Sequence, residues 1–444
     1  MLVGCGEIRE VTPDATPPPP PPIDAAPGCE RMLIDGVAGC GFANGEFSGI
    51  RAATGGGITL GDGRESGEFV SRVFDSGDAG AMWSTLAWTI DGPHGVPLPD
   101  GGERELGFLL DGANMTDNVL LLHLDDAATG PGRLLADGSG RANHPVIAST
   151  ASDPLATLEG RFGQAIADTL DSHFYLDVDP TQTPPVGGDF DVGEGDFTWA
   201  LWVRSSQDCT DENRVYMGIE GQGQDGLIHL WLGCRAGGGA ECAAGSPAGR
   251  AGGFFTTSQG TGPNGAGFCG LRQINDDAWH HLALVKSAHA PARLSLYVDG
   301  ELESEVEADF HQPIVFTEPT EFTFGAFARD LVKYQAEASF DEIAIWRRAL
   351  SAGEVAALYR RGALRVGFQV RACADPACAD DPAFVGPGGS ETRLYRASSE
   401  GVGPERSVAL DSVSGRYLQY RVVLDSDVAG ESPILRRVAL SLDP

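Results

Sequence analysis

The sequence predicts an all-β chain, and three observations predict it. Its 444 residues include 61 Gly and 28 Pro, a content of helix breakers that suits short strands joined by turns. Short segments alternate in polarity as half-buried strands do: in FTWALWVRS, Phe197, Trp199, Leu201 and Val203 fall on one face and Ala200 and Trp202 on the other. Turn signals punctuate these segments, the clearest being Asp299-Gly300 ahead of Glu301. The length exceeds one ordinary domain and allows two or three units.

From the N-terminus, residues 1–27 read as an anchor and a stalk. Leu2-Val3-Gly4-Cys5 resembles a bacterial lipobox, which makes Cys5 a lipidation site; the apolar core of a signal peptide is missing, so this reading requires a start upstream of Met1. Pro17 to Pro22 are six consecutive prolines, which hold an extended polyproline II spacer of ~3.1 Å per residue. No segment reaches the ~18 apolar residues of a spanning helix.

Residues 28–112 carry GGGITL, EFVSRVFDSG and STLAWTI, then the loop DGPHGVPLPDGG; residues 363–444 carry RVGFQVRACADPAC, AFVGPGG, GRYLQYRVVLDS and SPILRRVALSL. Each set is too small for a sandwich. They read as the two halves of one flanking β-sandwich, with residues 113–362 inserted between them; two small independent sandwiches are the other reading. Insertion is physically easy where the ends of the guest lie close together.

The guest carries the most informative segments. VLLLHLDDAATG, ADGSGRANHP, GDFTWALWVRS, WHHLALVKS, LYVDG and FDEIAIWRRALSAGEVAALYRRG follow one another between Asn118 and Gly362. In that order they resemble the laminin G-like jelly roll of the concanavalin A-like sandwiches. The resemblance implies that VLLLHLD pairs with EIAIW, that one short helix closes the domain, and that the domain binds a glycan or protein outside the cell. Ser351 with Glu354 forms a capping box, and Gly362 stands where a helix would end, so residues 352–361 are predicted helical. The FQVR segment and the RYLQYRVVL and SPILRRVAL pair resemble modules found beside such domains in secreted bacterial proteins.

Setting Cys5 apart leaves eight cysteines with local spacings, which fits four disulfides and an oxidising compartment, whereas no pattern of CxxC pairs with His partners suggests zinc. Cys29 with Cys40 and Cys373 with Cys378 are neighbours. Cys209, Cys234, Cys242 and Cys269 allow three pairings, of which Cys209–Cys234 with Cys242–Cys269 closes loops of modest length; a loop of ~15 residues contributes roughly 3 kcal/mol in the chain-entropy model.

Sixty-three acidic against 31 basic residues give a net charge of −32, which repels phosphate backbones and anionic lipid. Nucleic acid is excluded as a partner, and a membrane enters only through a lipid on Cys5. The predicted protein is a secreted or cell-surface lipoprotein of a bacterium, binding a glycan or an extracellular protein. A structural envelope protein, or an accessory module of a polysaccharide-degrading system, are the alternatives.

Catalytic chemistry finds no support in the sequence. Glycoside hydrolases of the laminarinase type alternate three acids along one strand; in FDEIAIW only Glu342 fits, because Ala344 and Trp346 occupy the following positions, so no acid and nucleophile pair is assembled. ELESEVE places Glu301, Glu303, Glu305 and Glu307 on one face, which reads as a solvated edge. Ser76-x-Asp78-x-Gly80-x-x-Trp83 resembles a single Asp box, a turn-stabilising hairpin. His123, His280 and His281 have no nucleophile beside them in sequence and read as strand residues. The resemblance implies a calcium shared by Asp125, Asp137 and Asp341, with backbone oxygens completing the 6 to 8 that calcium takes; the competing reading is that each carboxylate caps N–H groups of its own loop. Asp341 shares strand parity with Ile343 and Ile345, which predicts burial. Trp202, Trp231 and Tyr216 are candidates for an aromatic platform under a sugar ring.

Overall fold

The computed structural model describes residues 33–36, 41–102, 104–108, 111–125, 130–149, 155–237, 242, 246–257, 266–289, 291–307, 312–327, 331, 333–399 and 403–443. Cys5, Cys29, Cys40 and the proline run lie outside them. The described chain is strands and turns with one α-helix, folded into four antiparallel sheets.

Two of these sheets form a jelly roll. An eight-stranded sheet has Phe197–Arg204 between Ser339–Trp346 and Trp279–Ser287, and Asn118–Leu122 pairs with Ser339–Trp346. A seven-stranded sheet runs in the order Ala266–Gln273, Arg250–Thr256, Gly226–Arg235, Arg214–Gly223, Thr320–Phe324, Ser172–Val178 and Val146–Ser149. Alternation supplies the layer between them: Trp199, Leu201 and Val203 of the first sheet meet Phe174, Leu176, Leu230, Phe322 and Phe324 of the second in one apolar core.

The other two sheets are each assembled from both flanks of the jelly roll. Met82–Ile90 lies between Glu405–Ser414 and Leu435–Leu442, while Ser66–Val70 pairs with Tyr417–Ser426, which pairs with Leu364–Cys373. Trp88 packs on Phe368 with ring centroids 4.8 Å apart, so residues far apart in sequence close one core.

The helix, Ala352–Ala363, opens with both bonds of the Ser351–Glu354 capping box and runs two residues past its predicted end. Gly362 is inside the helix rather than beyond it, because a Cβ there would come within 2.5 Å of the Trp202 indole; the glycine permits close packing. The helix and residues such as Leu98 and Met115 cover the outer face of the eight-stranded sheet, where Ala200, Ala283 and Trp346 are buried.

Two expectations about side-chain direction are corrected. The register of Ser339–Trp346 against Phe197–Arg204 slips between Ala200 and Trp202, and Glu342 has a left-handed φ of 46°. This bulge puts Phe340, Ile343 and Ile345 in the inter-sheet core, whereas Asp341 pairs with Trp202 in register and does not share the face of Ile343. The ELESEVE edge also carries a slip, between Leu296 and Tyr297. Leu302 is 51% exposed, and Glu303 turns in to accept hydrogen bonds from the Leu271 and Arg272 amides.

Candidate ligand-binding face

Antiparallel register builds the outer face of the seven-stranded sheet row by row. Tyr175 pairs with Thr323, Thr323 with Gly218, Gly218 with Trp231 and Trp231 with Phe254. One cross-strand row therefore reads Tyr175, Thr323, Gly218, Trp231, Phe254, with strands ~4.8 Å apart. Phe327 fills the place that Gly218 leaves, since a Cβ at Gly218 would come within 2.5 Å of its ring. Val215, Trp231 and Phe327 form a small apolar cluster on this side, against which Phe254 and Tyr334 pack half-buried. His229 completes it, 4.9 Å from Phe327 and 5.6 Å from Phe254 between ring centroids.

The next row is acidic. Asp177 pairs directly with Glu321, the register carries on to Glu220, and Glu220 pairs with His229, whose Nδ1 it meets in a short hydrogen bond. Burial and the facing Asp177 raise the pKa of Glu321; burial and the two carboxylates raise that of Tyr175. The Arg235 guanidinium, 2% exposed and donating to the Gly253 carbonyl, is 5.6 Å from the Trp231 ring, and the exposed Lys333 ammonium is 5.2 Å from that of Tyr334.

Of the three aromatics expected to form a platform, only Trp231 is on this face. Trp202 lies on the outer side of the other sheet, stacked on Tyr359 of the helix, and Tyr216 is buried between the sheets against Phe340. The row was nonetheless readable in part, because HLW in GLIHLWLG puts His229 and Trp231 on one face and HFYLD puts His173, Tyr175 and Asp177 on another. Which strands adjoin was not.

The three carboxylates expected to share a cation are divided. Asp137 accepts from the Leu121, Ser139 and Asn143 amides and from the Ser139 hydroxyl, so its oxygens cap their loop. Asp125 and Asp341 meet at one turn: Gln164 N–H donates to Asp125 and Phe162 N–H to Asp341 Oδ2 at 3.0 Å. Asp341 is 0% exposed, and its Oδ1 has no hydrogen-bond partner. Burial, then Glu342 and Asp125, push its pKa well above the usual carboxylate range. Among the described residues no group of three His, Cys, Asp or Glu side chains is arranged to hold a metal ion. The unpaired Asp341 oxygen and the Asp125 carboxylate fit a cation that takes its other oxygens from backbone and water; Asp137 does not.

The remaining singled-out residues are held by structural contacts. Glu342 meets His123 Nδ1 and accepts from Leu98 N–H, while His123 Nε2 is 3.1 Å from Asp100. Burial opposes charge on His123, but Glu342 and Asp100 outweigh it and raise its pKa to about 11. His280 lies between Asp299 and Asp276. Trp83 of the Asp-box segment donates to the Gly415 carbonyl, and Asp78 accepts from Gly80 N–H in its turn. Disulfides join Cys209 to Cys234, Cys242 to Cys269 and Cys373 to Cys378.

Residues 179–356 match the model of the family Laminin_G_3, described as the concanavalin A-like lectin/glucanases superfamily. The chain carries a laminin G-like domain. No curated protein matches the chain. Similar solved structures include domain 4 of an extracellular GH43 arabinanase from Geobacillus stearothermophilus in complex with arabinotriose, at 15% identity and a TM-score of 0.37, covering 55% of this chain and 98% of that one. The binding domain of Paraclostridial Mosquitocidal Protein 1 is 14% identical with a TM-score of 0.38, covering 67% and 74%. Trypanosoma rangeli sialidase in complex with sialic acid is 13% identical with a TM-score of 0.36, covering 55% of this chain and 32% of that one.

Proposed function

We propose that the laminin G-like domain is a non-catalytic, extracellular binding module that holds a glycan against the outer face of its seven-stranded sheet. The observation that carries this reading is the pair of half-exposed rings, Tyr175 and Phe254, at the two ends of one cross-strand row; Trp231 and Phe327 between them are buried, 5% and 2% exposed, and pack beneath the face. Apolar ring faces of sugars stack on such side chains, and the neighbouring carboxylates accept hydrogen bonds from hydroxyls. Disulfides support an oxidising compartment, and the lipobox-like Cys5 with its proline spacer supports attachment to a bacterial envelope.

Calcium in this reading is structural. Asp125 and Asp341 hold it, and it supplies the charge that the buried Asp341 carboxylate otherwise lacks.

A glycan array probed with the full chain and with Phe254→Ala tests the proposal. Retention of a defined set of oligosaccharides by the native chain, weakened roughly five- to tenfold by the substitution, is expected. No retention, or retention indifferent to Phe254, removes the sheet face as the site.

A further inference from the structure

Beyond Phe254 the seven-stranded sheet ends in a cleft rather than a flat edge. Phe254 pairs with Gly267 of the last strand, Ala266–Gln273, and the Cys242–Cys269 disulfide ties the segment ahead of Arg250–Thr256 onto that strand. The cleft measures about 460 Å³ and is lined by Cys242, Pro247, Arg250, Gly267, Cys269 and Leu271, among others. Leu271 is 69% exposed, Pro247 is exposed and Arg250 half-buried, so these walls are open to solvent where Trp231 and Phe327 are not. Because Gly267 belongs to both, the cleft continues the row that holds the Phe254 ring.

The charge in this cleft is opposite to that of the chain, which has 63 acidic against 31 basic residues. Arg250 stands directly across from Arg235, an arrangement in which like charges destabilise the pair. Arg235 turns away: its stem fills the space a Cβ on Gly252 would take, and its guanidinium donates to the Gly253 carbonyl. Among the described residues the Arg250 guanidinium has neither an ion-pair nor a hydrogen-bond partner. Glu303, close to Gly270 of the cleft, does not neutralise it, being held by the Leu271 and Arg272 amides. An open cleft with one apolar wall and one unused polar group is the ordinary form of a ligand site.

We infer that the glycan on this face carries an acidic sugar, with one ring against Phe254 and a carboxylate in the cleft, held by the Arg250 guanidinium. This rests on the sheet face being the glycan site. The planar fork of a guanidinium matches the two oxygens of a carboxylate, and Leu271 offers the apolar side of the sugar a contact. Arg250 and Phe254 are four residues apart on one strand, on the order of 13 Å, a span that a short oligosaccharide bridges and a single sugar does not. The acidity of the whole chain is screened beyond about 8 Å at physiological ionic strength, so a lone carboxylate responds to Arg250, whereas a polyanion meets the repulsion of the rest.

Calorimetric titration of the full chain with xylotriose bearing one glucuronic acid, with neutral xylotetraose and with tetraglutamate tests it. The acidic saccharide is expected to bind about tenfold tighter than the neutral one, with the difference shrinking as salt is added. In Arg250→Gln that difference disappears while the melting temperature holds or rises, because a repulsive cross-strand pair has been relieved; a purely structural role for Arg250 would lower it. Phe254→Ala weakens both saccharides and keeps their ratio. Equal affinity for the two saccharides, or a preference that survives Arg250→Gln, overturns the inference, and weakening of both in Phe254→Ala then leaves the glycan face standing. Failure of both to bind overturns the inference as well, and the array with Phe254→Ala decides the face separately. Tetraglutamate binding as tightly as the acidic saccharide overturns the sugar and assigns the cleft to an acidic peptide.

Discussion

Arg361 and Glu105 form an ion pair in which each side chain is only 1% exposed. Arg361 is in the last turn of the helix, and Glu105 precedes the first jelly-roll strand. Glu105 also bonds Arg406 of the flanking sandwich at 3.2 Å, so one carboxylate ties the helix to both units. Removing one partner of a buried pair leaves the others charged without compensation, which costs about 3–5 kcal/mol. Glu105→Ala is therefore expected to lower stability by that amount in urea unfolding, far beyond the ~1 kcal/mol of an exposed pair such as Arg293–Glu305.

Calcium should act through Asp341. Because its folded pKa is raised, the uncharged group contributes stability below the ordinary carboxylate range, and that contribution is lost as pH rises through the folded value. Asp341→Asn should consequently melt higher than the native chain in EDTA near neutral pH. Calcium at about 100 times its Kd should add about 2.7 kcal/mol to the native chain and nothing to the variant; an equal calcium shift in both would place the ion elsewhere.

His123 predicts an alkaline slope. Its folded pKa of about 11 exceeds the ordinary 6.5, so its contribution is complete below pH 6.5 and declines between pH 6.5 and about 11. Lys286, lowered chiefly by burial to about 8, works in the other direction at the upper end of that window. The difference between native and His123→Gln unfolding free energies, followed across that window, isolates the histidine and should shrink as pH rises.

Trp202 and Phe254 separate stability from binding. Trp202→Ala empties a buried site under the helix and should cost about 3–5 kcal/mol in stability without changing the affinity of the folded chain for glycan. Phe254→Ala, on a half-exposed ring, should do the reverse: a small stability loss and roughly five- to tenfold weaker binding. Paired melting and titration of both variants checks this.

The strands were legible because alternation is local: FTWALWVRS carries its own inner and outer faces, and Ser351 with Glu354 marks its own helix start. Close packing was not, which is why Gly362 read as a terminator when the Trp202 indole is what requires a glycine there. Asp341 was misplaced for a related reason, since the bulge at Glu342 shifts parity within one strand and leaves no mark in the sequence. The candidate face was half legible. Single strands disclose that His229 and Trp231, or Tyr175 and Asp177, look the same way; the pairing that brings Tyr175, Thr323, Gly218, Trp231 and Phe254 into one row depends on strand order and register across four interfaces.

Hydrogen–deuterium exchange of the full chain, with and without a saturating oligosaccharide that the array retains, tests the central claim most directly. Protection concentrated in Ser172–Val178, Arg214–Gly223, Gly226–Arg235, Arg250–Thr256 and Thr320–Phe324 is the predicted result. Protection confined to the turn that holds Asp125 and Asp341, or to the flanking sandwich, would contradict it.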